Sequence, residues 1–193
     1  MARLKEFDPE AVLNRAMVLF WRQGFEATSV QDLVDALEIG RGSLYATFGD
    51  KHALFLATLD RYSAMVFAAL LPPLQVEGST RDALHAMLSR VLDLASAASY
   101  PPGCLMANTL AELGLRDIQV AERLLESYRQ LDEAITRVIR RGQERGEIAA
   151  RHSAPALSRF LLTTMQGLRL LAKAEPDRAM LEEVVAVAMT ALA

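Results

Sequence analysis

Arg41-Gly42-Ser43-Leu44-Tyr45-Ala46-Thr47-Phe48 gathers side chains suited to a polyanionic duplex. On a helix, Leu44 and Phe48 stand four apart on one face and can anchor it. Arg41, Gly42, Ser43, Tyr45, Ala46 and Thr47 then project elsewhere. The guanidinium and the hydroxyls match phosphate oxygens and base edges, and the small residues keep the N-terminal end thin enough to enter a major groove. Gly49-Asp50-Lys51 follows. It places a cation at the start of the next helix, where free backbone N–H groups also suit a phosphate.

Cys104 is the sole cysteine, so no intramolecular disulfide can form. It follows Pro101-Pro102-Gly103 and opens a predicted helix, where the dipole favours a thiolate. Equally, a free cysteine often serves as a small buried hydrophobe. Met87, Val91, Met106, Leu110, Leu124, Tyr128, Phe160 and Met165, together with Cys104, are candidates to line a ligand cavity; core packing is the competing role for each. The three histidines, at 52, 85 and 152, join no nucleophile–base constellation, and neither a phosphate loop nor metal-ligand spacing is present. No enzyme activity, metal site or cofactor is expected.

The elements that must position these residues read as helices throughout. Asp8 caps the first, with Pro9 at its first position and Glu10 facing the dipole. Phe7 and Val12 are spaced as a hydrophobic staple. Leu13, Ala16, Met17 and Phe20 form its apolar stripe, and Gly24 closes it with Phe25 folding back on Phe20. Ser29 and Asp32 make a capping box for a short helix carrying Val30, Leu33, Val34 and Leu37. A break at Glu38-Ile39-Gly40 precedes the helix of Arg41 to Phe48. Two short helices joined this tightly are the skeleton of a helix-turn-helix. Asp50 caps a longer helix that Pro72 and Pro73 are expected to stop near Leu71.

Longer and more apolar segments follow. One runs from a capping box at Ser79 and Asp82 to about Ala95, one from about Leu105 to Leu113, and one from about Asp117 to Arg145. The last has a stripe of Ala121, Leu124, Leu125, Tyr128, Leu131, Ile135, Val138 and Ile139. The final two, near Ser153 to Lys173 and Asp177 to Leu192, are separated by Glu175-Pro176. In the first of them Leu157, Phe160, Leu161, Thr164, Leu168 and Leu171 form one stripe, with Leu162, Met165 and Leu170 outside it. A helix apolar on two sides needs two partners, so this pair is expected to form a two-fold four-helix dimer interface; a monomeric core is the alternative. The expectation is an all-α chain of about nine helices, divided into residues 1–50 and a larger unit of residues 51–193.

About half the residues are apolar and a quarter charged, as in a globular protein. Met1 to Glu10 is charged and contains Pro9, unlike an export signal. The uncharged run Tyr62 to Val76, which carries Pro72 and Pro73, is short for a membrane span. A soluble cytoplasmic chain without membrane contact is expected. The net charge is −3, and residues 1–52 hold six Lys/Arg against eight Asp/Glu. That balance is unusual for a nucleic-acid binder and supports an alternative, a helical adaptor that binds no DNA.

The run from Phe20 to Phe55 nevertheless resembles the DNA-binding domain of TetR-family repressors. Gly24-Phe25, Thr28-Ser29-Val30, Asp32-Leu33, Gly42-Ser43-Leu44-Tyr45, Phe48 and Lys51 carry the resemblance. It implies a homodimer on double-stranded palindromic operator DNA, released when a small-molecule effector enters the C-terminal domain. By position it implies phosphate contacts from Ser29, Arg41, Ser43 and Lys51. Tyr45, Ala46 and Thr47 would meet phosphate or base edges, and Gly42 would permit close approach. Two positions depart from the family. Glu38 stands where glycine is common, so a left-handed turn there would be strained or absent. Gly40 stands where serine is common, which removes a side-chain cap from the recognition helix. Gly103-Cys104-Leu105-Met106-Ala107-Asn108-Thr109 resembles a segment in a subset of the family, some of whose members respond to electrophiles or oxidants through a cysteine near this point. A switch by modification of Cys104 is therefore a further alternative.

Overall fold

A computed structural model describes residues 7–98, 100–114, 116–175 and 177–193. The expected break at Pro176 and the segment 1–6 lie outside these residues. Among the described residues there are nine helices and no strand: α1 (Pro9–Gln23), α2 (Val30–Leu37), α3 (Arg41–Phe48), α4 (Lys51–Gln75), α5 (Thr80–Ser96), α6 (Leu105–Leu113), α7 (Ile118–Glu144), α8 (Ala154–Ala174) and α9 (Arg178–Thr190).

By packing, the chain divides into Met1–Ala64 with Leu105–Leu124, and Met65–Cys104 with Leu125–Ala193. The compact unit that carries α2 and α3 thus extends past the 1–50 segment marked by the sequence pattern, and it includes α6. In this first unit α1 packs on α2 and α6. Its centre is aromatic: the Phe20 ring meets Phe55 edge-on at 4.9 Å, and Trp21 meets Tyr62 at 4.9 Å. Asp8 caps α1 by accepting from Glu10 N–H at 2.9 Å. Gly24, at φ 84, ends the helix with its N–H on the Phe20 carbonyl.

In the second unit α5 packs against α8 and α9, and α8 against α9. Leu84, Met87, Leu88 and Val91 of α5 are buried, as are Leu157, Leu161, Met165 and Leu168 of α8 and Leu181 and Val185 of α9. Ser79, Ser153 and Asp177 cap α5, α8 and α9.

Three local expectations are corrected. Pro72 and Pro73 do not stop α4, which runs on to Gln75. Prolines this close to a helix end remove only the bonds to the carbonyls four residues back, Ala68 and Ala69, and exposed Ala68 can turn to water. Burying Leu74 rewards the extra turn. On α7, Leu125 is exposed and Val120 is buried, so the buried stripe starts at Val120, one residue before Ala121, and leaves Leu125 out. On α8, Met165 belongs to the buried face, and Phe160 and Leu171 fall outside it.

α4 is long and apolar enough to cross a membrane, but half of its most apolar window is buried within the fold. Leu54, Phe55, Leu59 and Tyr62 are core residues.

Candidate nucleic-acid interface

Local chemistry fixes where α2 begins. Ser29 Oγ accepts from Asp32 N–H at 3.1 Å, and the Asp32 carboxylate accepts from Ser29 N–H at 2.7 Å. Hydrogen bonds to the carboxylate from the Ser29 hydroxyl and then from the Ser29 N–H, against a smaller opposing effect of desolvation and with Lys51 adding its charge, hold the Asp32 carboxyl below its ordinary range.

The turn keeps its left-handed geometry despite lacking glycine: Glu38 sits at φ 55, ψ 36. Arg15 of α1 stabilises it. Its Nη1 lies 3.0 Å from the Glu38 carboxylate, and its Nη2 donates to the Leu37 carbonyl at 2.7 Å, capping the end of α2. Ile39 is buried beneath the turn. Gly40 begins α3 with no side-chain cap, as expected.

On α3, Leu44 is wholly buried and Phe48 half-buried, while Arg41, Gly42, Ser43, Tyr45 and Ala46 are exposed and Thr47 is half-buried. Tyr45 is 41 % exposed, unusual for a large ring in a packed fold. A Cβ added at Gly40 or Gly42 would meet nothing within 4 Å, so this end of α3 is thin and open. Lys51 opens α4 with its Nζ 4.3 Å from the centroid of the Phe25 ring. A cation–π contact restrains the long side chain and so lowers the entropy it would lose on pairing with an anion. The eight predicted contact residues thus lie at the N-cap of α2, on α3 and at the start of α4.

Sequence reasoning missed what supports them. Glu112, in α6, accepts from the backbone N–H groups of Phe25 at 3.1 Å and Glu26 at 2.8 Å. Arg116 reaches Glu26 at 3.1 Å. His52 meets Asp117 at 2.6 Å. Glu112, Arg116 and Asp117 therefore clamp both flanks of the helix-turn-helix within the first unit. No local pattern announces these bonds, because the partners lie 65 to 90 residues apart.

The nine candidate ligand-lining residues divide between the units. Met106, Leu110 and Leu124 belong to the first; Met87, Val91, Cys104, Tyr128, Phe160 and Met165 belong to the second. Leu110 and Phe160 are exposed, Tyr128 is half-buried and the other six are buried. Burial, then the proximity of Cys104, pushes the Tyr128 hydroxyl well above its ordinary range, partly offset by the buried Arg169. Tyr128 stays neutral across physiological pH and can donate a hydrogen bond.

Comparison with known proteins agrees with this geometry. Residues 12–58 match the family described as bacterial regulatory proteins, tetR family, and residues 80–188 match the tetracyclin repressor-like C-terminal domain. The chain is 33 % identical over 191 residues to the HTH-type transcriptional repressor ComR of Escherichia coli, covering 98 % of this chain and 90 % of that one. It is 31 % identical over 193 residues to the HTH-type transcriptional regulator YezE of Bacillus subtilis, covering all of both. Among solved structures, a cysteine mutant of the TetR family regulator CifR, complexed with 26-bp double-strand operator DNA, has a TM-score of 0.89 at 29 % identity. That match covers 99 % of this chain and 100 % of the other.

Proposed function

The chain belongs to the TetR family of bacterial transcriptional regulators, and we propose that it is a homodimeric, DNA-binding repressor released from a palindromic operator by a small-molecule effector. The observation that carries the reading is the exposed face of α3. Arg41, Ser43 and Tyr45 project from a thin helix start, flanked by Ser29 and Lys51 at two further helix N-termini. In this role Ser29, Arg41, Ser43 and Lys51 take phosphates, Tyr45, Ala46 and Thr47 meet phosphates or base edges, and Gly42 lets backbone and duplex approach. The acidic total is no obstacle, because binding depends on where charges project. Retardation of its own upstream DNA, lost in Tyr45→Ala, tests this assignment; an adaptor that binds no DNA would show none.

Dimerisation is assigned to α8 and α9. Phe160, Leu170, Leu171 and Val187 leave apolar surface exposed on them, and Gly167, with open space where a Cβ would sit, allows a second backbone to come close. A dimer presents two α3 helices to two half-sites. Such a regulator works in the cytoplasm. Release is a coupling free energy: an effector that prefers the DNA-incompetent dimer weakens DNA binding by the same factor that DNA weakens its own binding.

A switch through Cys104 is the second reading. Burial of the thiol favours a packing role. Equal induction of wild type and Cys104→Ser by thiol-reactive compounds is the expected result, and loss of induction in the variant would favour the switch.

A further inference from the structure

In the second unit a hollow of about 500 Å³ lies between the last turns of α4 and the C-terminal half of α7. Its apolar side comes from Leu71, Leu74 and Val138, and its polar side includes Arg137 and Arg141. The volume falls in the ordinary range for small-molecule sites.

Arg141 is the unusual group. Its Nε and Nη2 are buried and have no hydrogen-bond partner among the described residues. These two N–H groups form the side-on edge of the guanidinium, which matches the paired oxygens of a carboxylate. A buried charged donor left without an acceptor is unfavourable, so the arrangement suits a ligand that brings one.

Neighbouring carboxylates do not fill that role. Glu147 feels the charge of Arg141, but its Oε2 already accepts from Thr80 N–H at 2.6 Å and from Thr80 Oγ1 at 2.5 Å. Glu133, also on the rim, is largely exposed and sits 3.9 Å from Arg137. Two guanidinium groups against one rim carboxylate leave the hollow with an excess of positive charge.

We propose that this hollow binds an organic carboxylate, with the head on the Nε–Nη2 edge of Arg141 and the apolar body along Leu71, Leu74 and Val138. The site names the chemical class of effector, and for its consequence on DNA it rests on the reading above; the binding itself does not.

The test is titration calorimetry of the full-length, DNA-free protein with octanoate, octanol and inorganic phosphate. Octanoate is expected to bind wild type, and to bind Arg141→Gln at least about tenfold more weakly, the loss of one bidentate charged contact. Octanol and phosphate, lacking the head and the body respectively, are expected not to bind. Should Arg141→Gln fail to fold, Gln130→Trp serves instead. Gln130 is an exposed rim residue, and the ring would narrow the mouth and reduce affinity to a similar degree. No octanoate binding to wild type, undiminished binding in a folded variant, or equal binding of octanol would overturn the proposal. Repeating the titration on operator-bound protein separates the two readings. Octanoate that binds through Arg141 yet releases no DNA sustains the site and contradicts its role in release.

Discussion

Arg15 reaches from α1 to hold Glu38 in a left-handed turn, with 3.0 Å between guanidinium and carboxylate and a second bond of 2.7 Å to the Leu37 carbonyl. Among the described residues Glu38 is the one non-glycine with positive φ. That conformation costs about 1 kcal/mol for a residue with a Cβ. Arg15→Ala is expected to lower stability by about 1 kcal/mol, chiefly through the lost bond to the Leu37 carbonyl, because the exposed ion pair contributes less. Glu38→Gly removes the strain and stabilises more in the Arg15→Ala background than in wild type. Denaturant unfolding of the four proteins checks the cycle, and simple additivity would contradict the linkage.

Glu112 joins α6 to the turn after α1 through two backbone N–H groups. Replacing it with alanine leaves both donors without their acceptor. The expected loss is about 1–3 kcal/mol, together with weaker operator binding, since the same bonds set the approach to α2. Glu112→Gln keeps a single acceptor and should fall between. Unfolding midpoints of Glu112→Ala equal to wild type would remove Glu112 from the support of the site.

Asp117 ties acid sensitivity to the first unit. Desolvation alone would raise its carboxyl, but the Val120 N–H, the His52 side chain with its charge, and the Gln119 N–H together hold it below the ordinary range. A folded-state value below the unfolded one adds stability at neutral pH, and this is lost as pH falls through the folded value. Wild type should therefore lose more stability than Asp117→Asn between about pH 6 and about pH 3. Unfolding midpoints across that range test it. Parallel curves would show that the pair contributes nothing.

How much of this was legible depends on the distance over which a residue acts. The Ser29–Asp32 box, the caps at Asp8 and Ser79, and the Leu44–Phe48 anchor are contacts within a turn or two, and the chain pattern displays them directly. Glu112 and Asp117 act on residues far away in sequence, and nothing near Phe25 or His52 signals them. Glu38 shows a local rule overridden: its own propensity opposes the left-handed turn, and Arg15, on another helix, supplies the compensation. Phe160 and Leu171 carried the right apolarity but the wrong face, because a helix with two apolar sides does not say which faces its own core.

The exposed apolar side of α8 and α9 gives the dimer its test. Leu170 and Val187 are 66 % and 70 % exposed. Aspartate at either position places a charge in the proposed interface, where it would be desolvated without a partner. Leu170→Asp and Val187→Asp should halve the mass seen by light scattering at micromolar concentration. They should also weaken operator binding, because one head on one half-site loses the joint attachment. A variant that stays dimeric with unchanged DNA affinity would move the interface elsewhere.

The central claim is that α3 reads operator DNA, and a gel-shift on the DNA upstream of the protein's own gene, over a series of salt concentrations, tests it most directly. Wild type should retard the fragment as a sharp band that weakens steeply with salt. Tyr45→Ala should abolish the shift, and Lys51→Ala should weaken binding and lower the salt slope by about one. If the folded dimer retards neither this fragment nor genomic fragments at low salt, or if the shift survives Tyr45→Ala unchanged, the assignment of α3 as the recognition helix is contradicted.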